Sequence, residues 1–115
     1  MRVAIHDSKG LIGHADLTAS DPPMGVASGA FYPTSAYSRA EHANIVDGEY
    51  NGDRGINLRV LSDTHGQIES VGVCIQDYPT LNELSVDVIG ITRPSYDPLF
   101  ADDPDYQAYW AQGDA

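Results

Sequence analysis

The sequence of 115 residues contains a single cysteine, Cys74, so it cannot form an internal disulfide. Proteins without disulfides are typical of reducing compartments, and the apolar neighbours of Cys74 predict a buried, unreactive thiol. No apolar run approaches the roughly 20 residues of a membrane-spanning helix, and the N-terminus becomes polar too early for a secretion signal. These absences predict a cytoplasmic protein that has no membrane partner.

Positive charge is also scarce, because six Lys and Arg residues stand against 17 Asp and Glu residues and give a formal net charge of −11. After residue 70, eight acidic residues stand against one basic residue, Arg93. A negative field repels nucleic acid and attracts cationic partners, although the same charge also keeps a small protein soluble. The charge therefore predicts no nucleic-acid partner and favours a basic protein as partner.

Recognisable catalytic motifs are missing as well. The sequence has no Gly-x-Ser-x-Gly nucleophile elbow, and it has neither a phosphate-binding loop nor the glycine fingerprint of dinucleotide-binding folds. The one thiol lies in an apolar setting that does not activate it. The sequence thus identifies no catalytic residue and no cofactor, and it favours a protein that is not an enzyme.

Two similar turns are the most informative feature that is present. Residues 7–10 are Asp-Ser-Lys-Gly and residues 63–66 are Asp-Thr-His-Gly, and each tetrapeptide lies between two apolar runs. An acidic side chain can cap such a turn, and the final glycine can take the positive φ that a short hairpin requires. The sequence predicts two hairpins of nearly identical geometry, with positive φ at Gly10 and Gly66. The strands that these hairpins connect are predicted at 2–6, 11–18, 56–62 and 67–77.

Two further strands are predicted at 24–31 and 83–92. The prolines of 19–23 interrupt the sheet before the first of them, because proline cannot donate to a strand ladder. The second carries apolar side chains on both faces, which is typical of a central strand or of one inside a small barrel. With the hairpins, these strands predict one domain, 1–115, that is mainly β (α+β). Its five- or six-stranded antiparallel sheet is expected to be barrel-like or sandwich-like.

Two helices are predicted as well. Ser38 and Glu41 have the spacing of a capping box and predict one helix near 38–46, which ends at an Asp-Gly pair. Asp103 followed by a proline resembles an N-cap and a first helical position, and it predicts a short C-terminal helix at 104–111. The C-terminal helix would carry aromatic side chains four residues apart on one face.

One segment resembles a known group of proteins. Residues 21–33 begin Asp-Pro-Pro-Met-Gly-Val-Ala and follow the first predicted hairpin. This segment resembles one in small uncharacterised bacterial proteins of similar length, and the resemblance is confined to the first third of the chain. The resemblance implies a bacterial cytoplasmic protein, and it implies no activity, ligand or catalytic residue. Its physical meaning is a rigid diproline loop ahead of a strand whose glycines permit close backbone packing.

Two groups of residues have some features of metal sites. Residues 47–53 place oxygen ligands and a glycine in the order of a calcium loop, but Leu58 occupies the position of the required glutamate. We therefore expect no calcium binding there at physiological levels. His6 and His14 are predicted diagonal neighbours on the face of Asp16, where they could hold a metal or act in acid-base chemistry. Two surface histidines on a polar sheet face explain the same pattern, so no metal ligand is assigned.

The C-terminal segment carries the predicted partner-binding site. It combines aspartates with aromatic residues of the kind that is enriched at interface hot spots. We predict that the partner contacts Asp97, Asp102, Asp103, Asp105, Tyr106 and Trp110. Helix capping and solvation would also explain the aspartates. The competing view of the tryptophan is that it docks the segment onto the core.

Three functions are compatible with these features. The first is a non-enzymatic acidic binding protein, of the inhibitor or immunity type, that acts through a basic protein partner. The second is a small-molecule or metal-binding β-barrel whose tyrosines line a pocket. The third is a minor hydrolytic enzyme that uses His6 and His14 with a carboxylate. The charge and the missing catalytic motifs favour the first function.

Overall fold

The computed structural model describes residues 1–113 and shows a β-rich fold with short helices. The strands are β1 (Arg2–His6), β2 (Leu11–Asp16), β3 (Thr18–Asp21), β4 (Val26–Pro33), β5 (Ile45–Val46), β6 (Glu49–Tyr50), β7 (Arg59–Ser62), β8 (Gly66–Tyr78) and β9 (Glu83–Arg93). The helices are α1 (Arg39–His42), α2 (Tyr96–Phe100) and α3 (Pro104–Gly113). Within residues 1–113, none of them combines the length and apolar composition that crossing a bilayer requires.

Six strands close into an antiparallel barrel in the order β4, β2, β1, β7, β8, β9 and back to β4. Outside the barrel, β3 is added to β4, and the β5–β6 hairpin is added to β8, with β5 parallel to β8. Closure pairs each barrel strand on both sides and so removes the free edges of an open sheet. This architecture confirms the predicted mainly β, barrel-like fold.

The barrel interior is filled by aliphatic side chains from alternating strand positions. Val3 and Ile5 of β1 are buried together with Ala15 of β2, which pairs with Val3. The largest side chains that are less than 2% exposed are Phe100, Ile5, Ile12, Leu17, Ile75, Val3, Val60, Val86 and Val88. Full burial of one such side chain contributes roughly 1.5–3 kcal/mol. Because Phe100 belongs to α2, the core extends from the barrel into the C-terminal segment.

Both predicted turns form hairpins, and their final glycines have positive φ, 147° at Gly10 and 71° at Gly66. In the first turn the Asp7 carboxylate is the cap, because it accepts hydrogen bonds from two backbone N–H groups at 2.8 and 3.0 Å. In the second turn the Ser62 hydroxyl accepts the corresponding bonds at 3.3 and 3.2 Å, while Asp63 is exposed. The prediction of nearly identical geometry was wrong, because a serine one position earlier replaces the aspartate as cap.

The strand predicted at 24–31 begins two residues later, since Pro22–Met24 forms a single turn of 3-10 helix. Part of the interruption predicted at 19–23 pairs with β4 and forms β3. Gly29 lies where β4 passes the end of β2, and a Cβ atom there would be 1.7 Å from the carbonyl oxygen of Asp16. Only glycine allows this approach, so the expected close backbone packing of the segment is confirmed.

The helix predicted near 38–46 is present, but α1 covers only four of those residues. The Ser38 side chain makes no capping hydrogen bond, and the end of the predicted span pairs as β5. Asp47 and Gly48 have positive φ, 49° and 85°, and form the two-residue turn between β5 and β6. An Asp-Gly pair is a strong signal for such a hairpin. Here the pair joins β5 to β6, whereas α1 has already ended at His42.

The C-terminal helix predicted at 104–111 is confirmed by α3. Its cap is the predicted one, because the Asp103 carboxylate accepts hydrogen bonds from the backbone N–H groups of Asp105 and Tyr106 at 2.8 and 3.2 Å. The helix packs against β3, the strand at one edge of the sheet. Covering an edge strand with a helix protects its unpaired backbone groups.

Candidate functional site

A series of aromatic rings runs from the core to the surface through α2 and α3. The ring centres of Tyr96 and Phe100 are 4.7 Å apart, and both side chains are buried. The Tyr106 ring lies 6.3 Å from Tyr96 and 6.2 Å from Trp110. Tyr109 contacts Trp110 edge to face at 5.1 Å, and these two residues are 42% and 45% exposed. The series thus ends in two adjacent rings that face solvent and are supported by rings below them.

Four aspartates accompany these rings. Asp97 is exposed and accepts a hydrogen bond from the Tyr106 hydroxyl at 3.0 Å. Asp103 is half-buried, and its carboxylate is used to cap α3. Asp102 and Asp105 are exposed on either side of that cap. Tyr106 therefore contacts Asp97, Asp103 and Trp110 of the predicted site, and three of the four aspartates remain exposed.

The tyrosines beneath the exposed rings are neutral hydrogen-bond donors. Burial and then the hydrogen bond to Asp97 raise the pKa of Tyr106 above its ordinary value. Burial and then the charge of Asp103 raise the pKa of Tyr96. Both phenols are therefore protonated at neutral pH. Since no basic residue follows Arg93 in the sequence, carboxylates supply all the side-chain charge of this segment.

Tyr109 belongs to this surface, although the four-residue spacing that joins Tyr106 to Trp110 does not point to it. It is as exposed as the tryptophan and touches it directly. Two consecutive aromatic residues on a helix that begins at a recognisable cap are the signal that could have found it. The exposed surface of α3 therefore includes one aromatic residue, Tyr109, that the predicted partner-binding site lacked.

The carboxylate predicted to serve His6 and His14 is engaged elsewhere. Asp16 forms an exposed ion pair with Arg2 at 3.1 Å. An irregularity of the β1–β2 ladder also places His6 opposite Leu11, one position away from the regular register. In the part of the chain that the structure describes, no group of three or more His, Cys, Asp or Glu side chains is placed to hold a metal ion.

The calcium-loop pattern at 47–53 forms the β5–β6 turn, β6 and an irregular segment after it. The Asp47 carboxylate accepts hydrogen bonds from the N–H and hydroxyl of Thr80 at 3.2 and 2.7 Å. Asp53 accepts a hydrogen bond from the Tyr50 hydroxyl. These carboxylates therefore bond to different parts of the chain, and the expectation that the segment binds no calcium stays a prediction.

A second polar cluster, which the sequence does not predict, lies at α1. His42 is 4% exposed, and its Nδ1 accepts a hydrogen bond from the backbone N–H of Ser38 at 2.9 Å. Since Nδ1 is an acceptor, Nε2 carries the proton and donates to the Asp7 carboxylate at 2.9 Å. This bond, followed by that from the Lys9 backbone, lowers the pKa of Asp7. Both ring nitrogens are engaged, so the pair serves to tie the first hairpin to α1.

Tyr37 extends this cluster towards β8. Its ring stacks on His42 with centres 5.7 Å apart, and its hydroxyl donates to the Asp77 carboxylate at 2.7 Å. Arg39 donates from Nε to the same carboxylate oxygen at 3.0 Å, and the Asp77 side chain is only 6% exposed. Burial and then the hydrogen bond from its hydroxyl to Asp77 raise the pKa of Tyr37. Asp77 is thus a buried acceptor that fixes the positions of Tyr37 and Arg39.

Cys74 is half-buried on β8, which makes it less enclosed than predicted. Burial and then the charge of Asp87 raise the pKa of its thiol. The thiolate is the reactive form of cysteine, so a raised pKa supports the prediction of an unreactive thiol.

Comparison with protein-family models, with curated proteins and with solved structures found no match to this chain. Of the two clusters, the one at α1 has its histidine, its tyrosine hydroxyl and the carboxylates of Asp7 and Asp77 bonded within the chain, whereas the one at α2 and α3 faces outward. We call the latter the C-terminal surface and define it by Asp97, Asp102, Asp105, Tyr109 and Trp110.

Proposed function

We propose that this protein is a non-enzymatic binding protein, of the inhibitor or immunity type, whose C-terminal surface contacts a basic protein partner. The observation that carries this proposal is the exposure of Tyr109 and Trp110, side by side on α3. Tryptophan and tyrosine are enriched among the few residues that supply most of the binding energy of an interface. Rings that are already held by edge contacts lose little conformational freedom when they bind.

The charge of the same surface supports a basic partner. Asp97 in α2, Asp102 between the two helices and Asp105 in α3 are all exposed in the segment that carries the two rings. The chain has a net charge of −11, and the segment after Arg93 has no basic side chain to compensate these acids. Such a field accelerates encounter with a positively charged surface and repels nucleic acid. The proposal therefore combines aromatic anchors with electrostatic attraction.

The second candidate, a ligand-binding β-barrel, has less support. The barrel interior is occupied by aliphatic side chains that are nearly or completely buried. The tyrosines do not all line one pocket, since Tyr96 is in the core while Tyr32 and Tyr50 are 48% and 67% exposed at the surface. Tyrosines that line one pocket would converge on it. The hydrolytic alternative loses its carboxylate, because Asp16 is paired with Arg2.

Affinity capture with the immobilised full-length protein, from lysate of the organism that encodes it, tests the proposal. We expect a basic protein to bind at low salt and to be lost when Tyr109→Ser and Trp110→Ser are combined. The matched control is Leu81→Ser, which alters an exposed apolar side chain in the turn between β8 and β9. Retention of the same partner by the double variant, or capture of acidic proteins alone, would contradict the proposal.

Deletion of residues 95–115 is not a suitable test. Tyr96 and Phe100 lie in this segment and are part of the hydrophobic core. Their removal would expose apolar surface and lower stability irrespective of any partner. Substitutions of the exposed rings separate binding from folding.

A further inference from the structure

An open groove of about 700 Å³ lies between α1 and the β5–β6 hairpin. Its apolar lining comes from Ala40, Val46 and the ring of Tyr50, which is 67% exposed. Its charged lining includes Arg39 and Glu49. The groove thus offers an apolar surface together with one cationic side chain and two anionic side chains, Asp47 and Glu49.

Arg39 is held in place by a buried partner. Its Nε donates to Asp77 at 3.0 Å, and Asp77 is fixed in turn by the Tyr37 hydroxyl. The Arg39 side chain is nevertheless 52% exposed. Because Nε is the atom used by Asp77, the two terminal amino groups are left to face a ligand. A guanidinium oriented in this way presents paired donors that match the two oxygens of a carboxylate.

Among residues 1–113, no side chain forms an ion pair with Glu49, the second anionic group of the groove. Asp47 also lines it, but the Asp47 carboxylate is bonded to Thr80. Glu49 is exposed, and residues 1–113 contain no ion pair between it and Arg39, although both line the same groove. Two opposite charges that share a groove without pairing leave room for a ligand that carries both.

We propose that this groove binds a zwitterionic amino-carboxylate, a free amino acid or a short peptide. The ligand carboxylate contacts the terminal amino groups of Arg39, its ammonium contacts Glu49, and its apolar part packs on Val46 and Tyr50. A simple anion is a poorer ligand because the chain's charge of −11 opposes it, whereas a zwitterion adds no net charge. The site is formed by residues 39–51, so it is independent of the function proposed for the C-terminal surface.

Nuclear magnetic resonance titration of the full chain tests this proposal with four probes. L-phenylalanine and L-alanyl-L-phenylalanine carry both charges, whereas 3-phenylpropanoate carries only the carboxylate and 2-phenylethylamine only the ammonium. We expect saturable shifts of the amide signals of residues 39–51, and an affinity for at least one zwitterion about tenfold tighter than for either singly charged probe. Equal binding of all probes, or no saturable shift with either zwitterion, would overturn the proposal.

Two variants assign the contacts. Glu49→Gln should reduce the affinity for the zwitterion to that for 3-phenylpropanoate, and Arg39→Lys should weaken binding because it removes the paired donors. The matched controls are Glu69→Gln and Arg93→Gln, which alter an exposed ion pair elsewhere on the barrel and should leave binding unchanged. If Arg39→Lys fails to fold, Glu49→Gln still decides, since unchanged zwitterion affinity in that variant would contradict the assignment.

Discussion

Tyr37 and Tyr106 each donate a hydrogen bond to an aspartate, and the two bonds differ in where their acceptors lie. Tyr37 donates to Asp77 at 2.7 Å, and the Asp77 side chain is 6% exposed. Tyr106 donates to Asp97 at 3.0 Å, and Asp97 is exposed. The buried carboxylate also accepts a hydrogen bond from Arg39. The same pair of residue types thus lies inside the fold at α1 and on its surface at α2 and α3.

This difference separates residues that stabilise the chain from residues that are available to a partner. At α1 the carboxylates of Asp7 and Asp77 accept hydrogen bonds from other side chains of the same chain, and these bonds stabilise the fold. On the C-terminal surface, the carboxylates and aromatic rings face solvent and are available to a partner. Composition does not distinguish the regions, because both combine aspartate with tyrosine. The two regions differ in how deeply their carboxylates are buried and in which groups hydrogen-bond to them.

The largest difference in the free energy of unfolding is expected between substitutions of two aromatic residues of the C-terminal segment. Phe100→Ala should lower the free energy of unfolding by about 3–5 kcal/mol, because Phe100 is 1% exposed in the core. Trp110→Ser should change it by no more than about 0.5 kcal/mol, as is usual for surface substitutions. Urea denaturation of both variants measures the contrast. A similarly large loss in Trp110→Ser would show that the tryptophan mainly docks the segment onto the core.

The two tyrosine–aspartate bonds should also differ in their contribution to stability. Asp77→Ala leaves the Tyr37 hydroxyl and the Arg39 guanidinium without their acceptor, and should cost about 2–3 kcal/mol. Asp97→Ala exposes the Tyr106 hydroxyl to water and should cost no more than about 0.5 kcal/mol. Thermal denaturation of the two variants, scanned under the same conditions, provides the comparison. Equal shifts in Tm would remove the distinction between the regions.

A smaller difference in stability is expected between substitutions of the two residues that precede α1 and α3. Asp103→Ala removes the carboxylate that accepts two backbone N–H bonds at the start of α3, and should cost about 1 kcal/mol. Ser38→Ala removes a hydroxyl that makes no capping bond at α1, so stability should be nearly unchanged. Chemical denaturation decides the question, and a larger loss in Ser38→Ala than in Asp103→Ala would contradict the structure.

The hydrogen bond between His42 and Asp7, which ties the first hairpin to α1, should make stability depend on pH. The hydrogen bond from His42 lowers the pKa of Asp7 in the folded state below its value in the unfolded chain. The stabilisation by the ionised carboxylate is therefore complete above the ordinary aspartate pKa of about 3.9, and it is lost as the pH falls below that value. Asp7→Asn is the control, and its stability difference from the wild type should shrink as the pH falls. A difference that stays constant from neutral pH into this range would show that the carboxylate charge does not matter.

Elements that depend on local chemistry or on simple alternation could be predicted from the sequence. The strand predicted at 83–92 is β9, because its apolar pattern reflects burial inside the barrel. Asp103 caps α3 as predicted, since an N-cap needs only residues two and three positions further along. Gly10 and Gly66 have positive φ for the same local reason.

Contacts between distant residues could not be predicted in this way. Asp7 and His42 are 35 residues apart, and Tyr37 and Asp77 are 40 apart, so no spacing in the sequence links them. Helix α2 was missed because it contains Pro98 in its first turn, where proline is tolerated although it usually indicates an interruption. The exposed rings of α3 were partly identified, but their exposure follows from packing against β3, which the sequence does not reveal.

The fluorescence of Trp110 tests the central claim most directly, because it is the only tryptophan in the sequence and lies in the proposed interface. The measurement is a titration of the wild-type protein with the captured basic partner at low and at physiological ionic strength. We predict a saturable change in emission, with weaker affinity at the higher salt concentration, where the Debye length falls to roughly 8 Å. Binding of that partner without any change in Trp110 emission, or with an affinity that salt does not alter, would contradict the claim.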